Sequence, residues 1–528
     1  MLDTLIRKIA AGDEEYLRDE SKKTGTAESI SFPKTHEQLC AIMKKMHETG
    51  TPVTVQGNRT GLAAAAVPSE GHVLNLTGMD KVLGMRQEDG RFFLRVQPGV
   101  ILQKMNKSIA ARLFDTTGWD DASLEAYLAF TKAPVQMFTP DPTENTASIG
   151  GMAACNASGA CSYRYGPTRG HISALRCVLA DGQTLSLKRG QVFADGRTLR
   201  LTTEEGGTLE VTLPGYKMPD CKNASGYYCK ENMDAIDLLI GSDGTLAVIS
   251  ELELCLLPKP KLVWGATCFF ATQEQAVAFT SAMKKKPDGV VALEYFDAWA
   301  LNILRRQKAE SQAFARLPSI GDDYGCAIYS ELHRDTEDQI YADLEDIMAC
   351  SKAAGGDPDH TWVACTESDL NLLHFFRHAV PESVNMLVER YKRTYPGITK
   401  IGGDLAVPDD KFEEQLAIYD ATLEREGLDH AGWGHIGDNH IHVNILPRNM
   451  EEYHRGKELL AGWAAETSRM GGAVSAEHGV GKLKAPFLEV MYGKQYIDEM
   501  ADLKEAFDPK WILGRGNLFA PRHKEETK

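Results

Sequence analysis

The chain has 528 residues, 43% hydrophobic and 25% charged, and carries a formal net charge of −16. That length exceeds one ordinary domain and gives room for roughly two or three buried cores. The acidic balance argues against nucleic acid as a partner and against docking on anionic lipid by bulk charge.

Met1 to Glu20 carries acidic residues and no apolar run, so no signal peptide is expected. No window approaches the roughly 18 uninterrupted apolar residues that cross a membrane. The expected location is cytoplasmic, or peripheral at a membrane through a partner. In chain order, Pro52 to Gln56, Val73 to Leu76 and Phe92 to Val96 read as strands, and Val100 to Phe114 as an amphipathic helix. Ala174 to Ala180 reads as a strand closed by Asp181-Gly182, and Thr245 to Leu257 as a long strand region ended by Pro258-Lys259-Pro260. That turn is the expected boundary of a first domain, 1–258. Beyond it strands and helices alternate: Trp264 to Phe270, Val290 to Phe296 and Tyr324 to Leu332 as strands, Gln273 to Lys284 and Thr336 to Lys352 as helices. The expected class is α+β, with helices layered on a sheet. A second domain is expected over 259–470, and a closing segment over 471–528 completes the site.

Eleven cysteines are scattered without a Cys-x-x-Cys, the closest pair being Cys155 and Cys161. This leaves no zinc-ribbon or iron–sulfur signature, and the thiols read as free and buried. Electrons handled by this protein must therefore leave through another molecule.

The strongest chemistry lies near the C-terminus, in Gly434-His435-Ile436-Gly437-Asp438-Asn439-His440-Ile441-His442 and in Ala476-Glu477-His478-Gly479. Two histidines and one carboxylate are the minimal set for an open divalent-metal site. Gly434 to Asn439 reads as a turn and His440 to Leu446 as a strand, on which His440, His442 and Asn444 share one face. His435 must fold back over that turn to meet His442. His478, beside a candidate ligand, is well placed as a base. A solvated hairpin with surface histidines is the plain alternative.

Two stretches of the first half carry a different signal. Gln56-Gly57-Asn58-Arg59-Thr60-Gly61-Leu62 is a strand running into a loop of small residues, which exposes successive amides to a phosphate group. Pro140-Asp141-Pro142, Ser148-Ile149-Gly150-Gly151, Asn156-Ala157-Ser158-Gly159 and Tyr165-Gly166 form another small-residue backbone suited to pressing on a flat ligand. Taken singly, each is also ordinary turn chemistry.

Together with Gly241-Ser242-Asp243-Gly244-Thr245-Leu246, these loops resemble the FAD-binding domain of the vanillyl-alcohol oxidase family, the PCMH type. The His435…His442 and Glu477-His478-Gly479 motifs resemble its D-2-hydroxy-acid dehydrogenase branch, which includes D-lactate dehydrogenase, the glycolate oxidase FAD subunit and D-2-hydroxyglutarate dehydrogenase. The likeness runs from about Ser31 to Phe519. It implies a PCMH-type FAD domain, a cap domain with an antiparallel sheet, and a C-terminal segment returning to the FAD domain. FAD is implied at Gln56, Gly57, Asn58, Arg59, Thr60, Gly61, Leu62, Pro140, Gly150, Gly151, Asn156, Ser158, Gly159, Tyr165, Gly166, Gly244 and Ile249. It further implies a divalent metal (zinc first, manganese or iron as alternatives) on His435, His442 and Glu477. His478 is implied as base, Arg377 as the fork on the substrate carboxylate, with Lys400 and Asn444 at the substrate. The implied reaction oxidises a small 2-hydroxy acid. Its external electron acceptor is an electron-transfer flavoprotein, a quinone, a cytochrome or an iron–sulfur subunit.

Three positions depart from that pattern. Asn439-His440 stands where the family has Gly-Asn, and His440 can be an extra ligand, a substrate contact or a neighbour on the same face. Gly514-Arg515-Gly516-Asn517 replaces Asn-Pro-Gly-Lys, and the resemblance carries no flavin contact to that turn. Arg59 stands where smaller residues are common, either adding charge to the pyrophosphate or filling space beside it. No histidine lies in the Gly57 or Gly150 stretches, so FAD is expected without a covalent link there. The alternatives from other classes are a non-redox flavin-adduct enzyme of the alkylglycerone-phosphate synthase type, a flavin-binding subunit without catalysis, and an iron oxygenase using the same triad.

Overall fold

The computed structural model describes residues 5–286 and 289–522. Two larger sheets and a two-stranded ribbon, Thr198–Thr202 paired antiparallel with Thr208–Thr212, make up its first half. In the first, Ile6–Lys8, Ser29–Ser31, His72–Asn75 and Val53–Gln56 lie side by side, the last three mutually parallel. A helix, His36–Thr49, crosses over between them. Its Leu39, Ile42, Met43 and Met46 fall at helical spacing and bury one stripe against Leu74 and Val178. Thr35 caps its start by accepting from the Gln38 amide, and Gly50 ends it in the left-handed region.

The second sheet is antiparallel and centred on Val248–Pro258, with Arg91–Val96 and then Val82–Glu88 on one side and Ile172–Val178 and then Thr184–Lys188 on the other. Leu252, Leu254 and Leu256 alternate into the core, while Glu253 points the other way to Arg86 and Ser173.

After Pro258 a single seven-stranded sheet takes over, every pairing antiparallel. Its order is Trp362–Ala364, Leu262–Phe270, Cys326–Arg334, Val290–Phe296, His430–Gly434, His442–Ile445 and Ile401–Gly402. Helices cover both faces. Gln273–Met283, Glu337–Ala353 and Phe412–Glu426 pack on one side, and Ala298–Glu310 and Glu367–Lys392 on the other. Val290–Phe296 is buried at all seven positions, as a central strand covered on both faces must be.

The chain then returns. Leu488, Met500, Leu503 and Phe507, from the kinked helical stretch Ala485–Phe507, join the core of the first half. The Val53 amide donates to the Ile512 carbonyl at 2.6 Å, so the C-terminal segment extends the first sheet.

Several expected boundaries move for local reasons. The helix read as Val100 to Phe114 ends at Ala111 because Arg112 turns left-handed. The helix carrying Arg377, expected over Asp369 to Ala379, extends over Glu367–Lys392, straight through Pro381. The strand read from His440 begins only at His442, because Asn439 adopts φ 52° and His440 makes an isolated bridge to Ala406. The strand His430–Gly434, its hairpin partner, was not anticipated.

Candidate active site

The hairpin from His430 to Ile445 is the framework of the site. Gly434, at φ 135° with the His442 ring and His440 carbonyl within about 3 Å of any added Cβ, lets the two strands close tightly. A single 3₁₀ turn, Ile436–Asp438, then carries the chain round. His435 does fold back: its ring centroid is 5.7 Å from that of His442, and those of His440 and His442 are 4.3 Å apart.

Glu477 reaches the middle of these rings from the returning C-terminal segment. His435 Nε2 lies 3.1 Å from Glu477 Oε2, and His442 Nε2 lies 3.0 Å from Glu477 Oε1. The outward nitrogens are engaged elsewhere. His435 Nδ1 meets Glu294 Oε1 at 2.6 Å, and His442 Nδ1 meets the Gly403 carbonyl at 3.2 Å. An imidazole tied on its outer nitrogen, with the inner one turned to a shared carboxylate, is the arrangement that orients a metal ligand. His435, His440, His442 and Glu477 each bring a donor atom within 4.8 Å of the others. By donor set, spacing and outer partners, these residues fit a divalent ion.

Charge balance in this buried pocket is tight. Burial opposes the Glu477 charge, yet Lys222, His435 and His442 hold its carboxyl well below the usual range. Lys222 Nζ sits 2.9 Å from Glu477 Oε2 and 3.6 Å from Asp438 Oδ2, so the ammonium keeps its proton despite burial. Burial also pushes on His435, but Glu294 outweighs it and raises the imidazole to about 9. For His440 burial wins, lowering it to about 3.

His478, about one-third exposed, borders the same pocket. Its Nδ1 lies 3.3 Å from Asp404 Oδ2 and its Nε2 3.4 Å from Glu477 Oε1. Asp404 also receives Lys484, and lies 2.9 Å from His440. It therefore anchors His478 through Nδ1.

The other implied substrate residues are nearby but committed. Arg377 approaches Glu294 through Nε at 3.1 Å, so it stands behind His435 in the order Arg377–Glu294–His435–Glu477. Lys400, largely buried and lowered in pKa by that burial, lies 5.8 Å from the Trp433 ring centroid. Asn444 donates to the His442 carbonyl.

Sequence reading missed Glu294, Asp404 and Lys222. Glu294 had a signal: it is the only charged residue in the apolar run Val290–Phe296, and a buried carboxylate needs a partner. Asp404 stood beside Gly402-Gly403 without a motif of its own. Lys222 comes from the first half and gave no local cue.

The small-residue loops lie on the facing side. Ser158 Oγ points at Glu477 Oε2 from 3.5 Å, joining the Asn156–Gly159 turn to the cluster. Among the described residues, none of the amides from Asn58 to Leu62 donates to a protein acceptor. Five consecutive unclaimed loop amides fit the phosphates of a dinucleotide. The glycines divide by role. A Cβ on Gly57 would fall 2.0 Å from Ser148 Oγ, and one on Gly150 2.4 Å from Pro98 Cβ, so packing within the protein demands both. Gly151 is exposed and would meet only Ser148 Oγ at 3.0 Å, and Gly61 meets nothing within 4 Å. These two face outward, where a flat ligand needs space.

Most side chains of these loops are taken up by contacts with neighbouring segments of the protein. Gln56 donates to the Tyr16 and Ala66 carbonyls, and Asn156 accepts from the Arg169 amide. Arg59 pairs with Glu15 at 2.8 Å and lies over the Tyr16 ring, which assigns it to filling space. Tyr165 bonds His333. Gly159 packs on the Asp141 carbonyl next to Pro140, while Gly166 borders open space. Gly244, at φ 69°, turns the chain into the strand that carries Ile249. In the turn that departs from the family, Asn517 donates to the Asp243 and Ala65 carbonyls and so ties two loops together.

Comparison with known proteins agrees with this layout. The FAD binding domain model matches residues 27–124 and 122–188, and the model of the C-terminal domain of FAD linked oxidases matches residues 259–518. D-lactate dehydrogenase of Anaerostipes hadrus is 26% identical over 525 residues, covering 97% of this chain and 94% of that protein. Glycolate oxidase subunit GlcD of Bacillus subtilis (strain 168) is 26% identical over 498 residues, covering 93% and 89%. D-2-hydroxyglutarate dehydrogenase of Stutzerimonas stutzeri is 26% identical over 527 residues, covering 96% and 94%. A solved alkyldihydroxyacetonephosphate synthase shares the fold with a TM-score of 0.62 at 13% identity, over 99% of this chain and 83% of its own. With both halves matched and the antiparallel cap sheet in place, the chain belongs to the FAD-linked oxidases and is an FAD-dependent oxidoreductase.

Proposed function

We propose that this enzyme oxidises a small D-2-hydroxy acid, D-lactate or glycolate in type, to the 2-oxo acid. Residues 1–258 hold FAD, 259–470 hold the substrate, and 471–528 supply Glu477 and His478. The observation that carries the reading is the convergence of His435, His442 and Glu477 beside His478, with Ser158 of the small-residue turn 3.5 Å away.

In this reading His435, His442 and Glu477 hold a divalent ion, zinc first. The loops Gln56–Leu62 and Gly150–Gly166, with Gly244 and Ile249, hold FAD. When bound, the flavin supplies the hydride acceptor and the ion a Lewis acid at the substrate hydroxyl. The protein does the rest. Arg377 and Lys400 attract the substrate carboxylate, the guanidinium offering a planar fork. Asn444 lies on the strand of His442 and steadies the substrate's position. Asp404 fixes His478 through Nδ1, leaving Nε2 to take the hydroxyl proton as the Cα hydrogen departs with its electron pair. The electrons leave through an external acceptor. Among the described residues no helix is long and apolar enough to cross a membrane.

The test is the absorbance spectrum of the purified holoenzyme before and after anaerobic addition of D-lactate, glycolate or D-2-hydroxyglutarate. Bleaching of the flavin bands by one of them is expected. A flavin that stays oxidised with all three removes the reading.

A further inference from the structure

His440 is the one imidazole of the cluster that the three-ligand reading leaves without work. Its side chain is fully buried, and neither ring nitrogen makes a well-aligned hydrogen bond. Nε2 stands 2.9 Å from Asp404 Oδ1, and Nδ1 lies 4.0 Å from Glu477 Oε2. A buried ring nitrogen left unpaired costs stability and calls for a partner. The neighbouring rings indicate which partner. His435 and His442 each commit one nitrogen outward and aim the other at Glu477. His440 repeats the pattern, with Asp404 as its outer group.

We propose that His440 is a further ligand through Nδ1, so that the divalent ion has three imidazoles and one carboxylate from the protein. Donor atoms held about 2.0–2.2 Å from one ion stand roughly 3–4 Å apart. The distances from Glu477 to the three rings, 3.1, 3.0 and 4.0 Å, fall in that interval. The ring centroids of His435 and His440 are 5.4 Å apart, which leaves space for an ion between them.

The extra ligand has a chemical consequence. Four protein donors fill a tetrahedral zinc site, so an ion that also accepts substrate must take five or six ligands. Three imidazoles favour late divalent ions such as cobalt, nickel and zinc over manganese and magnesium. Asp404 then joins two imidazoles, His440 at the ion and His478 at the base, through its two oxygens. All four donor atoms lie within 4.8 Å of one another, so only small shifts separate this arrangement from a four-donor site.

This inference rests on the metal reading above, and the experiment separates the two. The protein is stripped with chelator, reloaded with Co²⁺, and its exchangeable, hyperfine-shifted ring N–H protons are counted by proton NMR. Each coordinated imidazole contributes one, from the nitrogen facing Glu294, Gly403 or Asp404. Three such resonances in the wild type and two in His440→Asn are expected, with the variant binding Co²⁺ at least about tenfold more weakly in chelator competition. Two resonances in the wild type overturn the role of His440 while leaving the metal site intact. No bound Co²⁺ in the wild type overturns both. The wild-type count decides the matter even should His440→Asn fail to fold.

Discussion

Around Glu477 the site is built of side chains: the imidazoles of His435, His440, His442 and His478, the carboxylates of Glu294, Asp404, Asp438 and Glu477, and the cations Lys222, Arg377 and Lys484. Along Gln56–Leu62 and Ile149–Gly159 it is done by backbone. There Gln56, Asn156 and Arg59 are tied to other segments of the protein, and what remains for a ligand is the unclaimed amides of residues 58–62 and the outward glycines. Tethered side chains suit proton and metal chemistry, where a fraction of an ångström matters. Bare backbone suits a large cofactor, which needs phosphate donors and a flat surface more than charge. Substitutions should therefore act on chemistry in the first region and on cofactor loading in the second.

The largest effect is expected at His478. Removing the base in His478→Ala should slow flavin reduction by about 10²–10⁴-fold while substrate still binds. Stopped-flow absorbance under anaerobic conditions reads this directly, and reduction at the wild-type rate would end the assignment. Next comes the pair His435→Ala/His442→Ala. Losing two of the proposed ligands should leave purified protein with little metal by elemental analysis, whereas its FAD content should match wild type. Equal metal in both proteins would mean that the ion, if any, lies elsewhere.

The second region has its own test. Gly151→Val adds bulk on the exposed side of its helix, where only Ser148 Oγ is near, so the fold should persist and helix propensity even improve. FAD stoichiometry should nevertheless fall well below one per chain. Gly150→Val is uninformative by contrast, since Pro98 already occupies that space and unfolding would mimic cofactor loss.

How much of this was legible follows the same division. The letters His, Glu and His beside glycine announced a side-chain site, and the structure brings His435, His442, Glu477 and His478 together. Helices layered on a sheet followed from the alternation of strands and helices, whereas the antiparallel order of the cap sheet came only from the family resemblance. Partners behind the proposed ligands were hidden, because Glu294, Asp404 and Lys222 come from three distant segments that only tertiary packing unites. The start of the strand at His442 was hidden for a subtler reason: period-two patterning puts His440 on the strand, while the left-handed Asn439 keeps it off. Nor could the sequence distinguish a glycine needed by its neighbours, such as Gly57, from one that leaves space, such as Gly61.

Arg377→Lys should have a smaller, more specific effect. The lysine keeps the charge near Glu294 but loses the planar fork, so KM for the hydroxy acid should rise by roughly tenfold, about 1.4 kcal/mol, with a lesser change in kcat. A fall in kcat alone, at unchanged KM, would instead place Arg377 only behind His435, as a support for Glu294.

The smallest effect is expected at Arg59, and it bears most directly on the contrast between the two regions. A cation in a loop proposed to hold pyrophosphate invites the idea of charge pairing. The guanidinium is instead 2.8 Å from Glu15 and 4.6 Å from the centre of the Tyr16 ring, and the Arg59 carbonyl accepts from the Glu20 amide. Glu15 is more than half exposed, so that ion pair contributes on the order of 1 kcal/mol or less. The stacking on Tyr16 adds a similar amount. Arg59→Ala should therefore lower the melting temperature by a few degrees at most and leave one FAD per chain, with affinity little dependent on salt. If the variant instead loses its FAD, or if wild-type affinity falls steeply as salt rises, the phosphates are held by side-chain charge and the backbone account of this loop is wrong.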